Sequence, residues 1–141
     1  MIVVDASLVI KWFLPEPGSS AAAQLLLENS TITGPDLLAV EVHATLVRGA
    51  NMVKSNRREA EAAIQLFQAM LSSGEVGLMR SSPTQIAKAA ALALDMGHPL
   101  KDCLYLVLAM ELACLLVTCD TKFATKARGV YAGVRGLGNV A

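Results

Sequence analysis

Charged residues are scarce in this sequence, and features typical of several other protein classes are missing. Asp, Glu, Lys and Arg make up only 17% of the chain, whereas hydrophobic residues make up 54%. This balance argues against intrinsic disorder and for an interior that takes up much of the chain. No low-complexity segment, internal repeat or long linker interrupts the sequence. We therefore expect one domain over residues 1–141.

The sequence also has no uninterrupted hydrophobic run long enough to cross a membrane. The richest apolar region, residues 103–118, contains Glu111 and follows Asp102, whereas a spanning helix needs about 20 apolar residues. At the N-terminus Asp5 follows only four residues, without the basic and apolar regions of a secretory signal. We expect no membrane association and a cytoplasmic location.

Cysteine and net positive charge are both limited. Cys103, Cys114 and Cys119 have neither the paired spacing of a zinc site nor the even number of a disulfide framework, so we interpret them as reduced thiols. Formal net charge is zero, and no global positive field attracts nucleic acid. The C-terminal end is nevertheless locally basic. The charged residues after Asp120 are Lys122, Lys126, Arg128 and Arg135.

Apolar runs of strand length alternate with segments of helical character. The predicted strands cover residues 1–4, 31–33, 76–79, 115–118 and 134–137. The predicted helices cover residues 7–14, 19–28, 35–52, 56–74, 82–97, 98–114 and 121–127. Ser19 or Ser20, Asn56 and Ser82 are predicted N-caps. This alternation implies an α/β sandwich with a mainly parallel sheet.

Two acids directly follow predicted strands, and two more lie near predicted helix starts. Ligands bind beyond the carboxyl ends of parallel strands, so neighbouring strands would bring Asp5 and Asp120 to one crevice. Each can instead be a simple helix cap. Glu41 and Asp102 can likewise owe their positions to the helix dipole. Because an almost wholly apolar segment follows Asp102, we expect a central helix that points this acid into the crevice.

Four converging carboxylates would repel one another unless a cation lay among them. Carboxylate oxygens without histidine or thiolate suit Mg²⁺ or Mn²⁺. Such ions activate water and stabilise charge on a transferring phosphate. The acids therefore predict a metal-dependent nuclease site.

Four short acidic segments together resemble a known family. DASLVIKWFLPE at residues 5–16 resembles the start of PIN-domain proteins, specifically the VapC-type toxins. PDLL at residues 35–38 with Glu41 is similar to their second acidic element, and DCLYLVLA at residues 102–109 to their third. LVTCDTKF at residues 116–123 resembles the fourth. The segments occur in family order across nearly the whole chain.

This resemblance implies a three-layer α/β/α sandwich and an Mg²⁺- or Mn²⁺-dependent endoribonuclease that hydrolyses RNA with metal-activated water, leaving a 5′-phosphate and a 3′-hydroxyl. It implies a cognate antitoxin protein and a homodimer. The residues it assigns to metal binding and catalysis are Asp5, Glu41, Asp102 and Asp120. Ser7 and Thr118 become supporting polar groups. Some relatives carry a further acid shortly after the fourth, which this chain lacks, so occupancy of a second metal position stays open.

Basic side chains near the acids are candidates for binding RNA phosphates. Lys101 and Lys122 are preferred because they flank Asp102 and Asp120. Other basic candidates, each of which can equally be an ordinary solvated residue, are Lys11, Arg48 and Lys126.

Two histidines and two aromatic residues have structural interpretations. His43 is predicted to point away from Glu41 on the same helix, and His98 to shape a helix start. We leave both outside the site. Trp12 and Phe13 are interpreted as packing residues rather than base-stacking groups.

Two alternative functions belong to other classes. A haloacid dehalogenase-type phosphohydrolase needs a second Asp two residues after the first, where this chain has Ser7. A non-catalytic RNA-binding or scaffold module with a PIN-like fold also fits, although all four acidic positions are filled.

Overall fold

A computed structural model describes residues 1–139, in which a five-stranded sheet is combined with seven α-helices and two short 3₁₀ turns. The strands are β1 (Ile2–Val4), β2 (Ile32–Pro35), β3 (Val76–Met79), β4 (Leu115–Thr118) and β5 (Val134–Gly136). The helices are α1 (Ala6–Phe13), α2 (Ser19–Glu28), α3 (Leu37–Met52), α4 (Arg57–Ser73), α5 (Pro83–Met96), α6 (Leu100–Leu112) and α7 (Thr121–Arg128). The 3₁₀ turns are Lys54–Asn56 and Leu137–Asn139. Every predicted strand and helix is present, with ends that differ by a few residues.

The sheet has the strand order β3-β2-β1-β4-β5, and each neighbouring pair is parallel. The predicted α/β sandwich is confirmed, and its sheet is parallel throughout the described residues. The chain builds outward from β1 to β3 and then returns to the other side of β1. Because such connections are right-handed, α1–α4 cover one face and α5–α7 the other.

The central strands and helix α6 form the middle of the hydrophobic core. Val4 in β1, Val117 in β4 and Leu106 in α6 are fully buried, and α6 packs against β1, β2 and β4. Burying one such side chain contributes about 1.5–3 kcal/mol, which explains the apolar character of this helix. Within residues 1–139, no helix combines the length and apolar character needed to span a membrane.

Trp12 and Phe13 pack as predicted. The Trp12 indole N–H donates to the Ala22 carbonyl at 2.9 Å. The Phe13 ring meets the buried Phe67 edge to face, with ring centroids 5.9 Å apart. These contacts join α1 to α2 and α4.

Of the predicted N-caps, Ser82 is confirmed, Asn56 is confirmed in position but not as a capping side chain, and the prediction of Ser19 or Ser20 is wrong. Ser82 and Gln85 form a complete capping box at the start of α5. Asn56 occupies the N-cap position of α4, but its side chain makes no capping hydrogen bond. Gly18, at φ 92°, is the N-cap of α2. Ser19 and Ser20 already lie inside the helix. The Ser19 hydroxyl instead closes the preceding turn by donating to the Leu14 carbonyl at 3.0 Å.

Candidate active site

The carboxyl ends of β1 and β4 lie side by side at the point where the strand order reverses. The two strands pair directly, but β1 continues toward β2 and β4 toward β5. Chains that leave neighbouring strands in opposite directions open a crevice, where ligands of parallel α/β folds bind. Asp5 is the first residue after β1, and Asp120 lies two residues after β4.

The Asp5 carboxylate is buried and held by three hydrogen bonds. Its Oδ1 accepts from the Ser7 hydroxyl at 2.6 Å and from the Leu8 amide at 3.2 Å, and its Oδ2 accepts from the Thr118 hydroxyl. Burial raises the pKa of Asp5 to about 6, although these hydrogen bonds pull that pKa down and the charge of Asp102 adds to the elevation. The three hydrogen bonds therefore do not fully offset the cost of burying the Asp5 charge.

Ser7 and Thr118 join the two loops at this sheet edge. The Ser7 hydroxyl accepts from the Cys119 amide at 3.3 Å, and the Thr118 hydroxyl accepts from the Asp120 amide at 3.0 Å. Each hydroxyl therefore binds Asp5 and the backbone that leads to Asp120. These hydrogen bonds tie the end of β1 to the loop between β4 and α7.

Asp120 is also a helix cap. Its Oδ1 accepts from the Phe123 amide at 2.9 Å at the start of α7, as Asp5 does for Leu8 at the start of α1. The capping interpretation and the crevice interpretation thus hold together, because one carboxylate oxygen can cap while the other faces the cavity.

Glu41, on α3, lines the same cavity as Asp5. Its Oε1 accepts from the Tyr105 hydroxyl at 2.6 Å, and its Oε2 lies 3.5 Å from the Lys101 ammonium. Tyr105 is almost fully buried. Burial and the adjacent Glu41 raise the pKa of the phenol far above its ordinary value, so Tyr105 stays a hydrogen-bond donor that orients this carboxylate.

All four predicted acids line one cavity of about 400 Å³. They are Asp5, Glu41, Asp102 and Asp120. Ser7 and Lys101 line it as well, whereas Lys122 is exposed at the start of α7. Lys11 also lines the cavity, but its ammonium is held by Glu16 at 3.3 Å and by the Pro17 carbonyl at 2.8 Å.

His98 joins this cluster, which the sequence reasoning missed. Its Nε2 lies 2.6 Å from Asp102 Oδ2, and its ring stacks on Phe123 with centroids 4.8 Å apart. Ligand atoms of His98, Asp102 and Asp120 all lie within 4.8 Å of one another. The spacing of four residues between His98 and Asp102 was the signal that could have identified the contact.

His43 lies outside the cluster, as predicted. Its Nδ1 is 2.6 Å from the Ala39 carbonyl and its Nε2 is 3.1 Å from Gln68. The ring packs on Phe67, with centroids 5.4 Å apart. These contacts are those of a packing residue.

The donor set fits a divalent cation. Four carboxylates supply hard oxygen ligands, and the imidazole of His98 adds a nitrogen that borderline ions accept. A cation would also offset the charge of buried Asp5, whose elevated pKa reports its unfavourable surroundings. The ligand atoms of His98, Asp102 and Asp120 lie close enough together for one ion to contact all three.

Comparisons with known proteins agree with this architecture. The chain is similar in fold to PAE2754 from Pyrobaculum aerophilum, with 15% identity, a TM-score of 0.64, and coverage of 97% of this chain and 90% of that one. It is also similar in fold to a chain of a toxin–antitoxin complex from Klebsiella pneumoniae, with 20% identity, a TM-score of 0.68, and coverage of 99% and 100%. No curated protein matches the sequence.

The PIN domain family matches residues 2–129. This segment contains β1 to α7 and all four acids of the cavity. The chain therefore belongs to the PIN domain family.

Proposed function

We propose that this chain is a divalent-metal-dependent endoribonuclease and the toxin component of a toxin–antitoxin pair. PIN domains are generally nucleases, which supports hydrolysis of phosphodiester bonds. The observation that carries the proposal is the convergence of four acids from remote parts of the chain on one cavity. A cavity lined by carboxylates would repel an RNA phosphate unless metal ions lay between them.

In this proposal Asp5, Glu41, Asp102 and Asp120 bind Mg²⁺ or Mn²⁺ and are the catalytic acids. When bound, such an ion supplies activation of water and stabilisation of phosphate charge. The products are a 5′-phosphate and a 3′-hydroxyl.

The remaining polar residues position the acids and the substrate. Ser7 and Thr118 hold the Asp5 carboxylate from both oxygens, and the Tyr105 hydroxyl does the same for Glu41. Lys101, whose side chain is 62% exposed beside the cavity, binds the RNA backbone. Exposed Lys122 extends that contact along α7.

The first test is RNA cleavage by the purified chain free of any partner. We expect cleavage with Mg²⁺ or Mn²⁺ and none with chelator. Asp5→Asn should still bind RNA but cleave it more than about 100-fold more slowly, because loss of even outer-shell partners of a metal costs 10–100-fold. The matched control is Asp95→Asn, which removes an exposed acid from α5 and should leave cleavage unchanged. Cleavage that persists in chelator would reject the mechanism.

The second test concerns the toxin role, which the Klebsiella pneumoniae toxin–antitoxin complex supports through its similar fold. We propose a cytoplasmic homodimer that a cognate antitoxin masks. Expression of the chain alone should arrest bacterial growth, and co-expression of a small neighbouring gene should relieve the arrest. Harmless expression of a protein that cleaves RNA well would reject the toxin role and leave the nuclease intact.

A further inference from the structure

His98 is fixed at the junction of α5 and α6, beside the acidic cavity. Its backbone N–H donates to the Ala93 carbonyl at 3.0 Å, at the end of α5. Its side chain is only 9% exposed, and its ring stacks on Phe123 at an interplanar angle of 29°. The ring is therefore held in place whether or not its Nε2 keeps the Asp102 contact.

The same contacts connect His98 to Asp120. Phe123, on which the imidazole stacks, donates its amide to Asp120 Oδ1 at 2.9 Å. The Lys126 ammonium, also on α7, binds the Gly97 carbonyl at 3.2 Å. Helix α7 and the junction that carries His98 thus form one unit, which brings an imidazole nitrogen and two carboxylates together.

We propose that His98 is a metal ligand that forms, with Asp102 and Asp120, a cation subsite selective for a divalent transition-metal ion over Mg²⁺. This inference rests on the proposed function, because the subsite belongs to the same active site. Asp102 belongs to this subsite and also lines the cavity with Asp5. It therefore connects the subsite to the other acids of the active site.

The distances suit this role with small adjustments. In octahedral coordination with bonds near 2.1 Å, two adjacent ligands lie about 3 Å apart. The nitrogen of His98 and the oxygen of Asp102, now 2.6 Å apart, need to separate by only a few tenths of an ångström. Asp120 is exposed, so its carboxylate is free to turn toward the ion.

The chemistry of the ligands determines the selectivity. Mg²⁺ prefers oxygen ligands and retains its water molecules. An imidazole nitrogen favours first-row transition ions, whose affinities for nitrogen-containing sites rise from Mn²⁺ to Cu²⁺. Replacing one oxygen ligand by His98 therefore shifts the preference of the site away from Mg²⁺.

If His98 only positions Asp102, substitution of His98 should have a different effect on metal affinity than if it binds the metal. In that role the ring only donates a hydrogen bond that orients Asp102, and a glutamine amide can replace this donor. His98→Gln therefore keeps the hydrogen bond but removes the imidazole nitrogen. Metal affinity separates the two roles, because ligation is lost in this variant and positioning is retained.

The test uses the intact purified protein with Mn²⁺ as the probe and pulsed electron paramagnetic resonance as the measurement. We expect nitrogen coupling from a directly bound imidazole, which changes when ¹⁵N-histidine is incorporated. His98→Gln should abolish it. The chain has two histidines, so His43→Gln is the matched control and should retain the coupling. If His98→Gln folds poorly, coupling that persists in His43→Gln still assigns the ligand to His98, because the chain has two histidines.

Direct titration measures the selectivity. His98→Gln should weaken Mn²⁺ binding at least about tenfold and leave Mg²⁺ binding nearly unchanged. Absence of nitrogen coupling in the wild-type protein, or equal affinity of both proteins for Mn²⁺, would overturn the inference. Neither measurement uses RNA. Metal-dependent cleavage without nitrogen coupling would refute the His98 ligand alone, whereas coupling without cleavage would refute the nuclease.

Discussion

Asp5 combines a structural and a chemical task at the first position after β1. One oxygen caps α1 through the Leu8 amide, while the carboxylate lines the acidic cavity. Burial makes its charged form unfavourable and raises its pKa to about 6, from an ordinary value of 3.8. The protein without metal therefore carries a destabilising charge at neutral pH.

This elevation predicts how stability depends on pH. Well below pH 3.8 Asp5 is protonated in both the folded and the unfolded chain, and the penalty is absent. Between pH 3.8 and about 6 the unfolded chain is ionised while folded Asp5 keeps its proton, so stability falls as pH rises, and the loss is complete above about pH 6. The loss is about 3 kcal/mol, the free energy that corresponds to the pKa elevation.

The prediction is tested with Asp5→Asn in chelator. Relative to wild type, this variant should gain up to about 3 kcal/mol in its free energy of unfolding between pH 4 and pH 8. Any hydrogen-bond mismatch of the amide is present at both pH values and cancels in the comparison. Denaturant unfolding at the two pH values measures the gain. A stability difference that stays constant with pH would contradict the buried charge.

Among the secondary-structure elements, helices differ in how much their N-cap residues contribute to the free energy of unfolding. Ser82 accepts from the Gln85 amide at 3.1 Å, and the Gln85 side chain accepts from the Ser82 amide at 2.8 Å. Asn56 stands at the start of α4 without a capping hydrogen bond from its side chain. Two N-cap residues of similar type therefore have different energetic roles.

We expect Ser82→Ala to lower the free energy of unfolding by about 0.5–2 kcal/mol. Asn56→Ala is the matched control and should change it by less than about 0.5 kcal/mol, as substitutions away from specific contacts do. Thermal or denaturant unfolding measures both. Equal losses in the two variants would show that the capping box contributes nothing specific.

At the scale of the whole molecule, metal binding should stabilise the fold. The proposed ligands come from α1, α3, α6 and α7 or the residues just before them, so an ion joins parts of the chain that separate on unfolding. A ligand at 100 times its Kd that binds only the folded state adds about 2.7 kcal/mol. We expect Mn²⁺ to raise the Tm of the wild-type protein accordingly.

Asp102→Asn should remove most of this metal-dependent rise in Tm. Glu111→Gln is the control on the same helix, where Glu111 binds Gln85 at 2.6 Å and Lys88 at 3.3 Å, and it should keep the full rise. A rise that survives in the Asp102 variant would place the ion elsewhere.

Much of the fold was predictable because local physical chemistry specifies it. The apolar runs at residues 115–118 and 76–79 became strands with the predicted ends. Ser82-Pro83 marked a helix start that the structure contains. The cap of α2 was predicted wrongly, because a turn residue such as Ser19 can satisfy several backbone groups and only the surrounding turn decides which.

The sequence by itself determined which residues form strands and helices and that acids stand at their ends. These properties follow from side-chain patterns over a few residues. Only the tertiary structure decided that β1 and β4 are neighbours, that Tyr105 orients Glu41, and that His98 meets Asp102 and Asp120. Such contacts depend on strand order and helix packing. These in turn depend on how the apolar faces of all the elements are buried against one another, which no single segment of the sequence specifies.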